Sequence, residues 1–386
     1  MFNRKFFFAT ASFIGAMVGA GVFGIPYAVA RAGFWPGFIC LVFLGGVAWL
    51  LHLVCGEVAL RTQGKQRLPG YTKKYLGQSA YWLAVFSAIF GICAALLAYI
   101  ILAADFVSLL FPSLASFNVL IAIVFWAILS IGVWRGLKAV AAVELVMAVL
   151  LIGVMVAIVA WGGPKINIAH FSGIDYQQLF LPYGVILFAF IGIAAIPEIE
   201  EILLSSSGQH NAKSGRIFIW AISLGSLIPL LLYAGFTAVV VGVSGQNVSP
   251  DALKGLSPYL GSGIVRLGAL FGILAITTSY LFWAINLKNT LIHDLNINKR
   301  LADIFIAVAP IALFLAGLRS FIGVIGVAGA FIGVIDGGLI LLAFRKAKTM
   351  GDRQPEYSLK IPGFVLFLLL AVLLAGALSQ IIILIK

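Results

Sequence analysis

Charged side chains are scarce in this sequence. They make up 10% of the 386 residues, whereas 62% of the residues are hydrophobic. A soluble domain has about 25% charged residues, so this composition excludes an ordinary soluble protein. Apolar runs of about 20 residues recur along the chain, and that length lets an α-helix cross about 30 Å of hydrocarbon. We therefore predict an all-α polytopic membrane protein, since a β-barrel would show short alternating segments instead.

Cysteine and histidine are also rare, with three and four residues. The cysteines lie in separate apolar runs without metal-site spacing and the histidines are dispersed, so we predict no metal centre. The sequence lacks a Gly-x-x-x-x-Gly-Lys-[Ser/Thr] loop, which excludes a built-in ATPase. It also lacks the acid and histidine clusters that an intramembrane enzyme would need. We predict a protein that is not an enzyme and that has no cofactor, unless sodium is a coupling ion.

The apolar runs predict eleven membrane spans, at residues 6–29, 36–60, 79–111, 117–134, 138–161, 179–203, 214–242, 263–287, 302–318, 321–344 and 362–385. With a cytoplasmic N-terminus, six of the 25 Lys and Arg residues fall outside, namely Arg31, Lys165, Lys254, Arg266, Arg319 and Lys386. The other 19 fall inside, as the positive-inside rule requires. The distribution of Lys and Arg, more than the net charge of +12, therefore indicates an inside N-terminus, and we predict no nucleic-acid partner.

Two similar segments interrupt the first and sixth predicted spans. The first contains "GVFGIP", from Gly21 to Pro26, and the second contains "GIAAIP", from Gly192 to Pro197. Each opens a set of five predicted spans, and an odd number of spans per repeat places the two halves in opposite orientations. We therefore expect inverted repeats at residues 1–161 and 162–344, followed by a cytoplasmic loop and an eleventh span at 345–386.

Glycine and proline in these segments predict broken helices. Glycine tolerates unusual backbone conformations, and proline removes a backbone donor. Hydrocarbon penalises the freed N–H and C=O groups unless they line a polar cavity or bind a ligand. Free amides attract a carboxylate and free carbonyls attract an ammonium group or a small cation, so the sequence predicts a carrier for a small zwitterion. The alternative is a packing stripe of small residues, formed by Gly15, Gly19 and Gly21.

Four segments resemble one transporter superfamily. They are "GAMVGAGVFGIPYA" from Gly15, "GEVALRTQGKQRLPGYTKKYLG" from Gly56, "LLAYI" from Leu96 and "LAITTSYLF" from Leu274. On these motifs the chain resembles the amino acid–polyamine–organocation superfamily, and within it the aromatic and hydroxy amino acid permeases, which include tyrosine and tryptophan permeases. The resemblance implies a LeuT-like fold with a 5+5 inverted repeat plus one C-terminal helix. It also implies a multi-pass protein of the cytoplasmic (inner) cell membrane that works by alternating access.

The resemblance also implies a substrate site at the two helix breaks. Amides of the first break would meet the substrate carboxylate, and carbonyls of both breaks would meet its amino group. A glycine would keep the second break open, and a tyrosine hydroxyl either reaches the substrate or belongs to a buried aromatic side chain. The candidate substrate residues are Met17, Gly19, Ala20, Gly21, Tyr99, Phe188, Ile191 and Gly192. Phe188 and Phe190 predict an apolar wall, which favours a hydrophobic or aromatic substrate side chain over a charged one.

The coupling ion is left open between sodium and a proton. Relatives with a sodium site use first-span carbonyls and eighth-span hydroxyls, and the matching residues here are Gly15, Val18, Ala275, Thr278 and Ser279. These hydroxyls could equally bond the preceding helical turn. Asp336 is the candidate proton relay, because an acid inside a span is expensive unless it has a function. Glu57 and Glu144 fit a structural role at least as well.

The leading hypothesis is a secondary active transporter that imports a neutral, hydrophobic or aromatic amino acid by symport with H⁺ or Na⁺. Its partners would be the amino acid and the lipid bilayer, and the sequence indicates no oligomeric state. One alternative is an amino acid or amine exchanger on the same fold. A nutrient sensor is less well supported, because it would usually add a soluble signalling domain or a long tail.

Overall fold

A computed structural model describes residues 4–64, 66–135, 140–204 and 212–385. Within these ranges the chain forms α-helices, short 3₁₀ turns and one π-helical turn at Thr290–Asp294, with no β-strand. Lys65, Lys138, Lys386 and His210, which entered the topology and metal-site predictions, lie outside the described residues, as does the side chain of Glu144. The predicted all-α class is confirmed for the described part of the chain.

Fifteen helices are described along the chain. They are α1 (Arg4–Met17), α2 (Gly21–Ala32), α3 (Phe34–Arg61), α4 (Leu68–Leu76), α5 (Gln78–Leu110), α6 (Asn118–Arg135), α7 (Val140–Gly162), α8 (Leu181–Ala189), α9 (Ile196–Leu204), α10 (Ala212–Ser244), α11 (Ser257–Leu260), α12 (Ser262–Asn289), α13 (Lys299–Leu315), α14 (Phe321–Met350) and α15 (Gly363–Ile385). Helices α1 and α2 form the first predicted span, and α8 and α9 form the sixth. We call residues 18–20 the first break and residues 190–195 the second break.

The number of membrane crossings differs from the predicted eleven. Eight described helices are long and apolar enough to cross a membrane, and α1 with α2, bent by 54°, makes a ninth. Helix α13 has 17 residues, and α8 and α9 have nine each. At 1.5 Å per residue, each of these three is shorter than about 30 Å of hydrocarbon. The count of eleven is therefore not confirmed and stays a prediction.

Both breaks lie where α2 and α8 pack together. A Cβ atom on Gly21 would lie 2.8 Å from Ala189 Cα, so only glycine allows this close approach between the start of α2 and the end of α8. The first interruption is shorter than the glycine-rich segment suggests, because Pro26 lies inside α2. Pro197 is the second residue of α9, where its missing N–H costs no helical hydrogen bond.

An aromatic cluster fills the space between α2, α5 and α10. The ring centroids of Phe23 and Phe106 lie 4.9 Å apart in an edge-to-face arrangement, and those of Phe23 and Phe236 lie 6.4 Å apart. All three side chains are buried. The cluster closes the bundle on the α2 side of the first break, which is the outer side in the predicted topology.

The connection between α14 and α15 folds back onto α3. Buried Glu57 accepts hydrogen bonds from Arg61 and from the Leu359 amide, and it pairs with Lys348 at 3.2 Å. The Tyr357 hydroxyl donates to the Leu53 carbonyl at 2.6 Å. Because Glu57 is already compensated by two cations and an amide, it has the structural role that the sequence left open.

Candidate functional site

A cavity of about 160 Å³ lies where the two breaks meet, between α1, α2, α5, α8, α9, α12 and α14. Of the candidate substrate residues, seven line it: Met17, Gly19, Ala20, Gly21, Tyr99, Phe188 and Ile191. Gly192 does not line the cavity. Of the candidate coupling residues, Gly15, Ser279 and Asp336 line it, whereas Val18, Ala275 and Thr278 do not.

The cavity extends toward one end of the bundle. Beyond the breaks its wall is formed by Arg67, Leu68, Glu198, Asn286 and Thr290. These residues belong to α4 and the residue before it, to α9, to the end of α12 and to the π-helical turn after α12, which the predicted topology places on the cytoplasmic side. An Arg67 guanidinium nitrogen donates to Asn286 Oδ1 at 3.4 Å on this side. The Phe23, Phe106 and Phe236 cluster lies on the other side.

The first break presents backbone donors to the cavity. The Gly19 amide donates to the Met17 carbonyl at 3.0 Å, so it is already engaged. The amides of Ala20 and Gly21 make no hydrogen bond to any described residue. Ala20 is the N-cap and Gly21 the first residue of α2, so their amides lie at the positive end of the helix dipole, an arrangement that favours a bound anion such as a carboxylate.

Tyr233 of α10 joins the two breaks and was missed by sequence reasoning. Its hydroxyl lies 2.9 Å from the Met17 carbonyl and 3.4 Å from the Ala189 carbonyl, as a donor to these backbone oxygens. The side chain is completely buried. It lies in an apolar run without any local motif, so no pattern in the sequence marks it. The Met17 carbonyl therefore already accepts hydrogen bonds from Tyr233 and from Gly19.

Tyr99 of α5 also lies beside the first break. Its hydroxyl would be 3.7 Å from a Cβ atom placed on Gly19, and its side chain is buried while lining the cavity. This places a polar atom at the position where the sequence predicted one. The structure thus brings Tyr99 and the first break together on one cavity wall.

The second break is held from behind, away from the cavity. A Cβ atom on Gly192 would lie 2.8 Å from His52 Nε2 and 2.9 Å from Phe13 Cε2. The Gly192 backbone angles, φ −128° and ψ −7°, do not lie in the left-handed region, so packing rather than conformation requires glycine here. Phe190 stacks edge-on against Tyr233 at 5.2 Å. Phe190 is therefore part of this rear packing and not of the cavity wall, unlike Phe188.

The candidate sodium ligands are only partly brought together. Gly15 and Ser279 line the cavity, but the Thr278 hydroxyl donates to the Ala275 carbonyl at 2.9 Å. That bond within α12 is the alternative that the sequence allowed. Carbonyl and hydroxyl oxygens suit a hard cation. Within the described ranges, no three His, Cys, Asp or Glu side chains group as metal ligands.

Asp336 of α14 is the acidic candidate inside the bundle. Its carboxyl group is buried beside the Ser87 hydroxyl of α5, and neither Asp336 Oδ1 nor that hydroxyl has another hydrogen-bond partner among the described residues. Both residues line the cavity. A carboxyl group in this setting is costly when charged, so it is suited to gain and lose a proton or to bind a cation.

Three of the matches to known proteins show what this chain is similar to. The sequence model of the tryptophan/tyrosine permease family matches residues 3–382. The Aliivibrio fischeri protein named "Glutamine transporter 2" is 23% identical over 367 residues, which cover 90% of this chain and 91% of that protein. The solved structure titled "Inward facing conformation of Mhp1" superposes with a TM-score of 0.65 and 13% identity, over 98% of this chain and 88% of that one. This last match confirms the predicted LeuT-like fold.

Proposed function

We propose a substrate class and a coupling mode for this protein, which belongs to the tryptophan/tyrosine permease family. Membership in that family makes it an amino acid transporter and a multi-pass protein of the cell membrane, and not an enzyme. The proposal is that it imports a neutral, hydrophobic or aromatic amino acid by symport with H⁺ or Na⁺.

The observation that carries the proposal is the cavity at the meeting point of the two breaks. The free amides of Ala20 and Gly21 supply donors for a carboxylate. Phe188 near the end of α8, Ile191 of the second break and Ile92 of α5 supply an apolar wall for a side chain. A site with anion-binding amides next to apolar side chains fits a zwitterion with a hydrophobic substituent, because a charged substituent would lose its hydration against the apolar wall of Phe188, Ile191 and Ile92.

The amino group of the substrate would bind at the carbonyl side of the breaks. The Met17 carbonyl is shared with Tyr233 and Gly19. Because the Met17 carbonyl already accepts two hydrogen bonds, the carbonyls of Phe188 and Ile191 are favoured as the main acceptors for the ammonium group. Met17 would then act indirectly, by holding the first break in position.

Transport would proceed by alternating access between two inverted halves, residues 1–161 and 162–344. The cavity reaches toward the predicted cytoplasmic end, while the Phe23, Phe106 and Phe236 cluster packs on the outer side. This arrangement supports an assignment to an inward-facing state. Import would require the outer aromatic contacts to separate and the inner end to close around the substrate.

Two residue sets support the two coupling ions. Asp336 supports a proton, because its carboxyl is buried, lines the cavity and has the neutral Ser87 hydroxyl beside it. Gly15, Val18, Ala275, Thr278 and Ser279 support sodium through carbonyl and hydroxyl oxygens. Asp336 carries the preferred assignment, since the Thr278 hydroxyl is already bonded within α12.

A polar neutral substrate is the second candidate. The relative at 23% identity is named a glutamine transporter, and the side chains of Ser87 and Asn286 line the cavity here. A carboxamide would need such polar partners. Exchange of amino acids without an ion gradient is the alternative transport mode on the same fold.

The test is uptake into proteoliposomes of labelled tryptophan, tyrosine and glutamine, under an imposed proton or sodium gradient. We expect accumulation of an aromatic amino acid under the proton gradient. Asp336→Asn should abolish gradient-driven accumulation while exchange of labelled for unlabelled substrate continues. Glu57→Gln, in the structural ion cluster, is the matched control for removal of a buried carboxylate. Absence of accumulation under both gradients, with exchange intact, would contradict symport.

A further inference from the structure

Two side-chain hydrogen bonds join α3 to α10 in register. Trp49 Nε1 donates to Ser223 Oγ at 3.1 Å, and His52 Nδ1 lies 3.0 Å from Ser226 Oγ. The partners are three residues apart on each helix, which is nearly one turn. Trp49 is 42% exposed, whereas His52 is 1% exposed. The same two helices thus share one bond at the surface and one in the interior.

The interior bond lies directly behind the second break. His52 Nε2 would be 2.8 Å from a Cβ atom on Gly192, and the Phe190 carbonyl is within hydrogen-bonding reach of the ring. Phe13 of α1 packs edge-on against the imidazole, with 5.1 Å between ring centroids. His52 therefore contacts α1, α10 and the second break at the same time.

The hydrogen-bond chemistry of a neutral imidazole fits this position. One ring nitrogen donates and the other accepts, and the bond at one nitrogen decides which is which. If the Ser226 hydroxyl donates to Nδ1, the proton stays on Nε2 and faces the second break. The Phe190 carbonyl follows the end of α8 and has lost its helical partner, so a donor from His52 would satisfy it.

From this arrangement we infer that His52 and Ser226 are positioning residues, which hold the second break in the shape that binds substrate. The inference rests on the proposed function, because the break is taken to supply carbonyls to the substrate amino group. His52 acts on the substrate site indirectly, through its contacts with Gly192 and Phe190. Gly192 does not line the cavity.

The surface bond provides a matched control for the interior one. Ser226→Ala and Ser223→Ala each remove a serine hydroxyl from the same face of α10 and break one bond to α3. We expect Ser226→Ala to raise the KM for uptake about tenfold with little change in maximal rate, since a buried polar group loses its partner. Ser223→Ala should change KM by less than about twofold, because its bond is at the surface.

His52→Gln provides a second variant with its own readout. A glutamine amide can both donate and accept, so His52→Gln should recover part of the affinity that His52→Leu loses. The pH profile of uptake by His52→Gln should match that of the natural protein. A changed profile would show that His52 titrates during transport, which would overturn the positioning role.

The experiments distinguish a failure of the proposed transport function from a failure of the positioning role of His52 and Ser226. If the natural protein accumulates no amino acid, the proposed function fails. If it accumulates substrate but Ser226→Ala and Ser223→Ala have equal KM values, only the positioning role is wrong. Where Ser226→Ala fails to insert as a monodisperse protein, the comparison of His52→Gln with His52→Leu decides the question.

Discussion

The two helix breaks share a sequence signature but use it for different physical reasons. At the first break, Gly21 is needed because the backbone of α2 approaches Ala189 closely, and Ala20 and Gly21, whose amides have no partner among the described residues, line the cavity. At the second break, Gly192 is needed because His52 and Phe13 pack against it from behind. Residues of the first break with unpaired amides line the cavity. The second break is packed against His52 and Phe13 on the side away from the cavity. A glycine that opens a helix therefore has a role that depends on its neighbours.

The largest expected effect comes from closing the first break. Gly21→Leu places a side chain against the backbone of Ala189, which cannot move aside as a flexible side chain could. We expect transport to be abolished while the protein still inserts into membranes. Gly153→Leu is the control, because a Cβ atom on exposed Gly153 has open space around it. Proteoliposome uptake measures the result, and full activity of Gly21→Leu would remove the close-approach argument.

A smaller effect is expected at the second break. Gly192→Ala adds one methyl group against the His52 and Phe13 rings, which cost about 1–3 kcal/mol to displace. Uptake at low substrate concentration should fall by about tenfold to a hundredfold. Gly46→Ala, in open space on α3, is the control. An effect as complete as that of Gly21→Leu would mean that Gly192 itself contacts the substrate.

The smallest effect is expected from the bond that joins the breaks. Tyr233→Phe removes the donor to Met17 and Ala189, at a cost of about 1–2 kcal/mol, so the KM should rise about fivefold to thirtyfold. Tyr183→Phe is the matched control, since that buried hydroxyl donates to the Leu373 carbonyl of peripheral α15 at 3.0 Å. Equal KM values for the two variants would show that the two breaks keep their relative position without Tyr233.

The cavity-lining residues that could be predicted from the sequence are those at a helix break, because a break is set by a short stretch of the chain. Gly19, Ala20 and Gly21 are adjacent in the chain, and the loss of helical partners at a break depends only on that segment. Tyr99 was found through a short motif. The count of eleven spans stays a prediction. The sixth span in particular consists of the nine-residue helices α8 and α9, each of which is too short to cross the membrane alone.

Residues that act on a break from another helix were not predictable. Tyr233 and Met17 are separated by 216 positions, and His52 and Ser226 by 174. Each lies among apolar neighbours whose pattern is that of an ordinary span. Phe190 was expected in the cavity wall, yet it packs on Tyr233, because the direction of a side chain at the end of α8 depends on how α10 is placed.

Three features follow from the amino-acid sequence: the chain is helical, it is membrane-embedded, and it is interrupted at two related places. Composition and run length decide the first two features, since lipid allows few ways to satisfy a backbone. Glycine and proline placement decides the third. What surrounds each interruption depends on the packing of distant helices: a cavity is lined by Ala20 and Gly21 at the first, and His52 and Phe13 pack behind the second. The reason is physical, because a broken helix frees polar groups locally but finds their partners on helices distant in the chain.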